Sequence, residues 1–193
     1  MVKIGAPRRL LASLFGARRG GDRAGWSTDV PDHLVELLFL RAVWGIEVPG
    51  GPPACAPPPQ TKRPLPAGFS PERATASWRD LWDEGVAWRA DGFPPTTFPP
   101  YWRERFGPTG VEDERRGWVN PRRAELAALA AGVIERPRAW DLIMNPPDQD
   151  QPTIVVLPLA DPWVSWVSQR QVMMSGQVLA DDDLLAQALT APR

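Results

Sequence analysis

Histidine, cysteine and tyrosine each occur only once among the 193 residues of this chain. The single cysteine, Cys55, excludes an internal disulfide, and together with a single histidine it leaves no cluster of thiolates and imidazoles for zinc. No apolar run approaches the roughly 20 residues that cross a bilayer. The sequence also has no glycine-rich phosphate loop of the GxxxxGK type. We therefore predict no catalytic residue, no metal site and no bound cofactor.

Proline, glycine and tryptophan are abundant instead, with 24 prolines, 16 glycines and ten tryptophans. Proline and glycine interrupt helices and strands, so we expect short elements joined by stiff connections. Apolar residues make up 43% of the chain and charged residues 23%, which is ordinary for a folded domain. We predict a basic N-terminal arm at 1–25 and a single α+β domain at 26–193. The single cysteine favours a reducing, cytoplasmic location.

The N-terminal arm is strongly basic. Residues 1–25 carry six basic residues and one aspartate, a net charge of +5, so the remainder carries −6 of the total of −1. Within the arm, residues 7–19 predict a short helix with an apolar side formed by Leu10, Leu11, Leu14 and Phe15. Its candidate contact residues are Arg8, Arg9, Arg18 and Arg19. Five roles fit this pattern: peripheral membrane contact, partner docking, phosphate binding, covering part of the core, or an organellar transit peptide.

Eight prolines lie between residues 49 and 66. Residues 49–69 therefore predict a polyproline-type linker or loop outside the core. A spacer is favoured over a ligand for an SH3-like domain, because Lys62 and Arg63 do not have the usual spacing from a PxxP motif. Cys55 within this segment is interpreted as a free thiol without a role.

Two helices are predicted in the N-terminal half. Residues 29–44, with Asp29 at the start and Gly45 at the end, are apolar almost all round, which is typical of a central buried helix. Residues 70–90 begin with Ser70 as a helix N-cap. The apolar side of this second helix is formed by Trp78, Leu81, Trp82 and Val86.

Several isolated polar or small residues have structural interpretations. Gly85 lies inside the second helix, where glycine costs about 1 kcal/mol relative to alanine, so close packing is expected there. His33 is interpreted as a partly exposed structural residue, because no nucleophile can be named for it to serve as a general base. Asp148, Asp150 and Asp181–Asp183 lack the alternation of oxygen ligands and glycine that binds calcium, and are interpreted as a solvated turn and a helix cap.

Half of the ten tryptophans lie within residues 70–118. The middle of this stretch, Phe93–Pro100, is a doubled Phe-Pro-Pro motif that predicts an extended segment. Residues 101–106 predict a short helix, and residues 109–119 a charged loop. Residues 120–134 predict a helix with Asn120 as its cap, whose packing stripe is Leu126, Leu129, Ala130 and Val133.

The C-terminal third has strand-like composition. Ala139–Met144 and Thr153–Leu159 are short β-branched or aromatic runs, which we interpret as adjacent strands. Trp163–Met174 carries strand and helix signals, and its valine and tryptophan content favours a strand. Asp181–Asp183 begins a terminal helix. The predicted fold class is α+β, with N-terminal helices and proline-rich connections followed by a small antiparallel sheet and a C-terminal helix.

Arginine recurs next to tryptophan along the chain, as in Trp102-Arg103. Aromatic and arginine side chains are enriched in interface hot spots, although buried tryptophans covered by arginines give the same pattern. We predict a non-enzymatic protein-interaction or assembly component whose partner is another protein or a second copy of the chain. Its candidate contact residues are Phe93, Phe98, Tyr101, Trp102, Arg103 and Trp118.

Two alternatives belong to other functional classes. An enzyme or small-ligand-binding protein would have polar groups from residues 103–105 and a pocket lined by Trp88, Tyr101, Trp102 and Trp118. Nucleic-acid or membrane-surface binding would use the arginines of the arm. Because the net charge is −1, we do not expect nucleic acid as a partner.

Overall fold

The computed structural model describes residues 27–90, 101–145 and 152–190. Four strands form one sheet: Ser27–Asp29 (β1), Thr153–Leu157 (β2), Val164–Ser168 (β3) and Gln171–Ser175 (β4). The α-helices in these ranges are Asp32–Trp44 (α1), Pro71–Ala90 (α2), Trp102–Phe106 (α3), Glu112–Gly132 (α4), Pro137–Met144 (α5), Gly176–Ala180 (α6) and Asp182–Thr190 (α7), and Val133–Glu135 is a 3-10 turn. The α+β class and the C-terminal helix are confirmed.

The sheet is mixed rather than antiparallel, with strand order β1-β2-β4-β3. Strand β2 runs parallel to both β1 and β4, and only β3 and β4 are antiparallel. Two residues, Gln169 and Arg170, connect β3 to β4, so these strands form a hairpin. The prediction of an antiparallel sheet holds only for β3 and β4. Strand β4, and not the next strand in sequence, β3, lies beside β2, and it runs parallel to β2. The prediction of strand rather than helix at 163–174 is confirmed, but these residues form two strands where one was predicted.

Residues 139–144 form helix α5, so the prediction of a strand there was wrong. Pro137 occupies the first turn of this helix, where its missing N–H leaves no hydrogen bond unmade. Ala139 and Ile143, four residues apart, are both buried on one side of the helix. This spacing of four residues is helical, and it outweighed the β-branched and aromatic composition of the run.

Helix α1 is buried nearly all round, as its apolar sequence predicts. It begins at Asp32 rather than Asp29, because Asp29 belongs to β1 and Pro31 takes the position before the helix. Gly45 ends the helix in the left-handed region, with φ 62°. The buried side chains of α1 are Leu34, Val35, Leu37, Leu38, Phe39, Leu40, Val43 and Trp44.

Helix α2 has the predicted start and apolar side, and it packs closely against a neighbouring element at Gly85, as predicted. The Ser70 hydroxyl accepts a hydrogen bond from the Arg73 amide at 3.3 Å. The buried Trp78 indole donates to the Leu37 carbonyl on α1 at 2.6 Å. A Cβ atom added to Gly85 would lie 3.0 Å from side-chain carbons of His33 and of Leu34, so α1 and α2 pack closely there.

Helix α4 begins at Glu112, so the predictions of a charged loop at 109–119 and of a helix start at Asn120 were wrong. Pro121 lies inside the helix, where proline ordinarily costs about 3 kcal/mol. Glu112 and the two acidic residues after it lie in the first turn, where the helix dipole favours negative charge. Val119 is buried in the core. These two contributions favour a helix through the proline.

The proline-rich segment 49–69 packs against the body of the protein. Cys55 is only 4% exposed and forms a β-bridge with Leu159. On either side of it, the Ala56 amide donates to the Pro158 carbonyl, and the Ala160 amide donates to the Ala54 carbonyl. The prediction that this segment lies outside the core was therefore wrong at Cys55, because these hydrogen bonds hold the segment against residues 158–160.

Both faces of the sheet are covered. Val155, Leu157 and Met173 belong to the apolar cluster that includes α1 and α2. The alternate residues Ile154, Val156, Val172 and Met174 belong to the cluster with α4, α5, α6 and α7. Successive side chains of a strand point to opposite faces, so each strand contributes to both clusters. Across the described ranges, none of the helices combines the length and apolarity needed to cross a membrane.

Candidate functional site

Tyr101 and Arg103 form an exposed aromatic and basic surface at the start of α3. The Tyr101 side chain is 41% exposed. The guanidinium carbon of Arg103 lies 5.4 Å from the ring centroid of Trp102 and 5.9 Å from that of Tyr101. Arg103 also pairs with Glu112 on α4 at 2.6 Å. These contacts hold the guanidinium over two rings, and we call this patch the Tyr101–Arg103 surface.

Trp102 lies beneath this surface rather than on it. Its side chain is 1% exposed, so the ring predicted as a contact residue is buried in this structure. The indole N–H donates to one carboxylate oxygen of Glu36 at 2.9 Å, and Arg115 forms an ion pair with the other oxygen. Burial raises the pKa of Glu36 above its ordinary value, and Arg115 and the Trp102 N–H offset this only in part. Trp102 therefore anchors α3 to α1.

Of the other predicted contact residues, Trp118 is the one that the described ranges contain, and it lies elsewhere. Trp118 is half-buried on α4, where its ring centroid lies 5.8 Å from that of Phe39 and its N–H donates to the Pro57 carbonyl at 3.0 Å. Trp118 thus supports the proline-rich segment. Phe93 and Phe98 lie outside the described residues, as do the arm residues Arg8, Arg9, Arg18 and Arg19.

The residues predicted to line an aromatic ligand pocket make packing contacts in the structure. Trp88, Tyr101, Trp102 and Trp118 do not line either of the two cavities described below. Trp88 packs edge-on against His33, with ring centroids 5.5 Å apart. His33 Nε2 donates to the Gly85 carbonyl at 3.3 Å, and burial lowers the pKa of His33. These contacts agree with the structural interpretation of His33.

A groove that the sequence did not predict lies between α2, residues 48–52 and the β3–β4 hairpin. Its volume is about 550 Å³. We call it the α2–β3 groove, and the side chains used in the argument below are Arg79, Asp83, Val86, Trp163 and Val167. Trp163 and Val167 were assigned only to a strand, and the α2 residues only to a helix. No local signal shows that these elements face each other across an open space.

A smaller cavity of about 450 Å³ lies beside the proline-rich segment. Trp44 and Phe106, whose ring centroids are 4.9 Å apart, contribute to its lining together with Pro64, Leu65 and Pro66. Both rings are almost fully buried, so they belong to the core of the domain.

The acidic residues Asp181–Asp183 are used in a helix cap and in ion pairs. The Asp181 carboxylate accepts hydrogen bonds from the amides of Asp183 and Leu184 at the start of α7. Asp182 pairs with Arg136 at 3.0 Å. Within the described ranges, no three side chains of His, Cys, Asp or Glu lie close enough together to share a metal ion. Asp148 and Asp150 lie outside those ranges.

Comparison of the chain with protein-family models, with curated proteins and with solved structures returned no match.

Proposed function

We propose that this protein is a non-enzymatic interaction or assembly component that binds a protein partner through the Tyr101–Arg103 surface. The observation that carries the proposal is the position of Arg103, which lies over the rings of Tyr101 and Trp102. The Trp102 ring is itself held in place by its hydrogen bond to Glu36. Phe93 and Phe98 are further contact residues in the proposal. A cytoplasmic location, favoured by the single cysteine, belongs to the same proposal.

Fixed aromatic and arginine side chains suit protein binding for two reasons. Tyrosine and arginine offer a large contact area together with hydrogen-bond donors, and both are enriched in hot spots. A side chain that is already held in place loses less conformational entropy on binding, a cost of about 0.5–1.5 kcal/mol for a mobile side chain. The contacts of Arg103 with Trp102 and Glu112 supply that preorganisation.

The proposal is tested by affinity purification of the full chain from a lysate of its source organism, followed by quantitative mass spectrometry. The double variant Tyr101→Ala, Arg103→Ser should recover about tenfold less partner, which corresponds to a loss of about 1.4 kcal/mol of binding free energy. Both side chains are exposed, so the variant should keep the wild-type unfolding temperature within a few degrees.

Ile134→Ser is the matched control, because Ile134 is the other large apolar side chain that is exposed in the described ranges, at 46%. The control should recover the partner as well as the wild type does. A set of recovered proteins that is the same for the double variant and the wild type would show that the Tyr101–Arg103 surface is not the binding site. Equal losses in both variants would count against the proposal in the same way.

A further inference from the structure

The α2–β3 groove combines apolar walls with one charge that has no partner among the described residues. Trp163 lines it from the sheet and Val86 from the helix. The Asp83 carboxylate has no hydrogen bond or ion pair with another described residue. The neighbouring acids on α2 differ, since Asp80 and Glu84 lie 3.8 and 2.6 Å from Arg105. Asp83 can therefore pair with a cation that enters the groove.

The second charge of the groove is already engaged. Arg79, one turn before Asp83 on α2, donates from its guanidinium to the Pro49 carbonyl at 2.9 Å. This contact directs Arg79 to the wall formed by residues 48–52. A segment that fits the groove therefore needs apolar side chains for Trp163 and Val86, and a basic residue for Asp83.

Residues 7–19 of this chain have that chemistry. Leu10 and Leu14 are four residues apart, so they share one side of the helix predicted there. Arginines lie at both ends of the segment, and it contains no acidic residue. The arm is net positive, whereas the rest of the chain is net negative, so long-range electrostatics also favour their association.

The sheet register places Ser27, the first described residue after the arm, within reach of the groove. Ser27 pairs with Thr153, Thr153 with Gln171, and Gln171 with Ser168, so all four lie in one row across the sheet. Ser168 follows Val167, which lines the groove. Three strand spacings separate Ser27 from Ser168, about 14 Å. Residues 20–26 can span up to about 24 Å, which is enough to reach.

We propose that residues 7–19 bind in the α2–β3 groove of the same molecule, with their apolar side against Trp163 and Val86 and an arginine at Asp83. The seven-residue connection gives the arm an effective concentration in the millimolar range, so it outcompetes the arm of a second copy at micromolar protein concentrations. The inference goes beyond the proposed function, because this groove is distinct from the Tyr101–Arg103 surface.

Quenching of a bimane fluorophore by tryptophan tests this contact in the full chain. The label is attached at Ser13→Cys, on the polar side of the predicted helix, and Cys55→Ala removes the other thiol. Trp163→Phe and Asp83→Lys should each raise the bimane fluorescence about twofold, as expected if the docked form changes from the major to the minor population. Trp140→Phe on α5 and Asp113→Lys on α4, at positions outside the groove lining, should leave the fluorescence unchanged.

Fluorescence that is the same in the parent and in both groove variants would overturn the inference. So would an effect of the control variants as large as that of the groove variants. Fluorescence that rises on dilution would also overturn it, because quenching would then come from a second copy. The outcome is separable from that of the proposed function: quenching at the groove is read from the bimane label, whereas partner recovery depends on Tyr101 and Arg103.

Discussion

Glu36 lies where three helices meet, with Trp102 of α3 on one carboxylate oxygen and Arg115 of α4 on the other. Its side chain is 14% exposed. Burial of a carboxylate disfavours the charged form, and this is the largest influence on its pKa, which is raised despite the nearby guanidinium. The folded protein therefore binds the Glu36 proton more tightly than the unfolded chain does. Stability must then depend on pH through this residue.

The direction of that dependence follows from linkage between proton binding and folding. The contribution of protonated Glu36 to the stability of the folded state is fully present below the ordinary pKa of 4.5. This contribution is lost as the pH rises through the raised pKa of the folded state. Between about pH 4 and about pH 7, the free energy of unfolding of the wild type should fall relative to that of Glu36→Gln, by about 1.4 kcal/mol for each unit of difference between the two pKa values. Urea denaturation of both proteins across this range measures it. Parallel curves would contradict the prediction.

At the scale of elements, the contact between α1 and α2 depends on Gly85. Two opposing effects act on Gly85→Ala. Alanine favours a helix by about 1 kcal/mol over glycine. The added Cβ would lie 3.0 Å from side-chain carbons of His33 and Leu34, so these side chains must shift by a few tenths of an ångström. Because the Leu34 side chain is fully buried in the core, it cannot shift without disturbing its other packing contacts.

We therefore expect Gly85→Ala to destabilise the protein by about 1–3 kcal/mol, as overpacking of a core does. Gly117→Ala on α4 is the matched control, since nothing lies within 4 Å of its added Cβ. The control should stabilise the protein by up to about 1 kcal/mol through helix propensity. Thermal unfolding of both variants measures the two effects. A gain in stability for Gly85→Ala would show that the two helices are not closely packed.

The elements that could be predicted from the sequence are those with local signals. The apolar composition of α1, the Ser70 cap of α2 and the Asp181 cap of α7 are local, and each appears in the structure. The start of α4 was missed because the proline rule favoured Pro121 as a first residue, whereas packing of Val119 extended the helix through it. The mixed sheet and the α2–β3 groove depend on which elements become neighbours. No local pattern encodes that arrangement.

The difference between local signals and the arrangement of elements also explains how much of the candidate site could be predicted. Trp102 and Tyr101 are consecutive aromatic residues, and the sequence gives no reason to separate them. Trp102 is buried, and Glu36, 66 residues earlier, accepts its N–H. Tyr101 remains exposed beside Arg103. Composition thus pointed to this stretch of chain, but only the packing of α3 on α1 showed which of its two rings is exposed.

At the scale of the whole molecule, the proline-rich segment connects the N-terminal helices to the C-terminal sheet. Arg41 of α1 donates to the carbonyls of Pro52 and Pro53, both at 2.6 Å. A few residues further, the segment bonds to residues 158 and 160, which follow β2. Residues 48–52 also form one wall of the α2–β3 groove. Arg41 therefore helps to define the groove as well as to hold the segment.

Arg41→Lys should loosen this connection, because an ammonium group lacks the planar fork that reaches two carbonyl groups at once. We expect a loss of about 2 kcal/mol of unfolding free energy, typical of a lost hydrogen bond to a charged group. Amide exchange should become faster at Ala56 and Ala160, which bond the segment to the end of β2. Hydrogen exchange followed by mass spectrometry measures the exchange rates in the peptides that contain Ala56 and Ala160.

Lys62→Met separates this effect from the general loss of a positive charge. The Lys62 ammonium donates to the Ala42 carbonyl at 2.7 Å, so it too joins the segment to α1, but at an exposed position. Exposed polar contacts contribute little, so this control should cost no more than about 0.5 kcal/mol and leave exchange at Ala56 unchanged. Equal losses in the two variants would mean that the segment is held by its charges in general. A loss confined to Arg41→Lys would mean that its paired contacts with Pro52 and Pro53 couple the helices to the sheet.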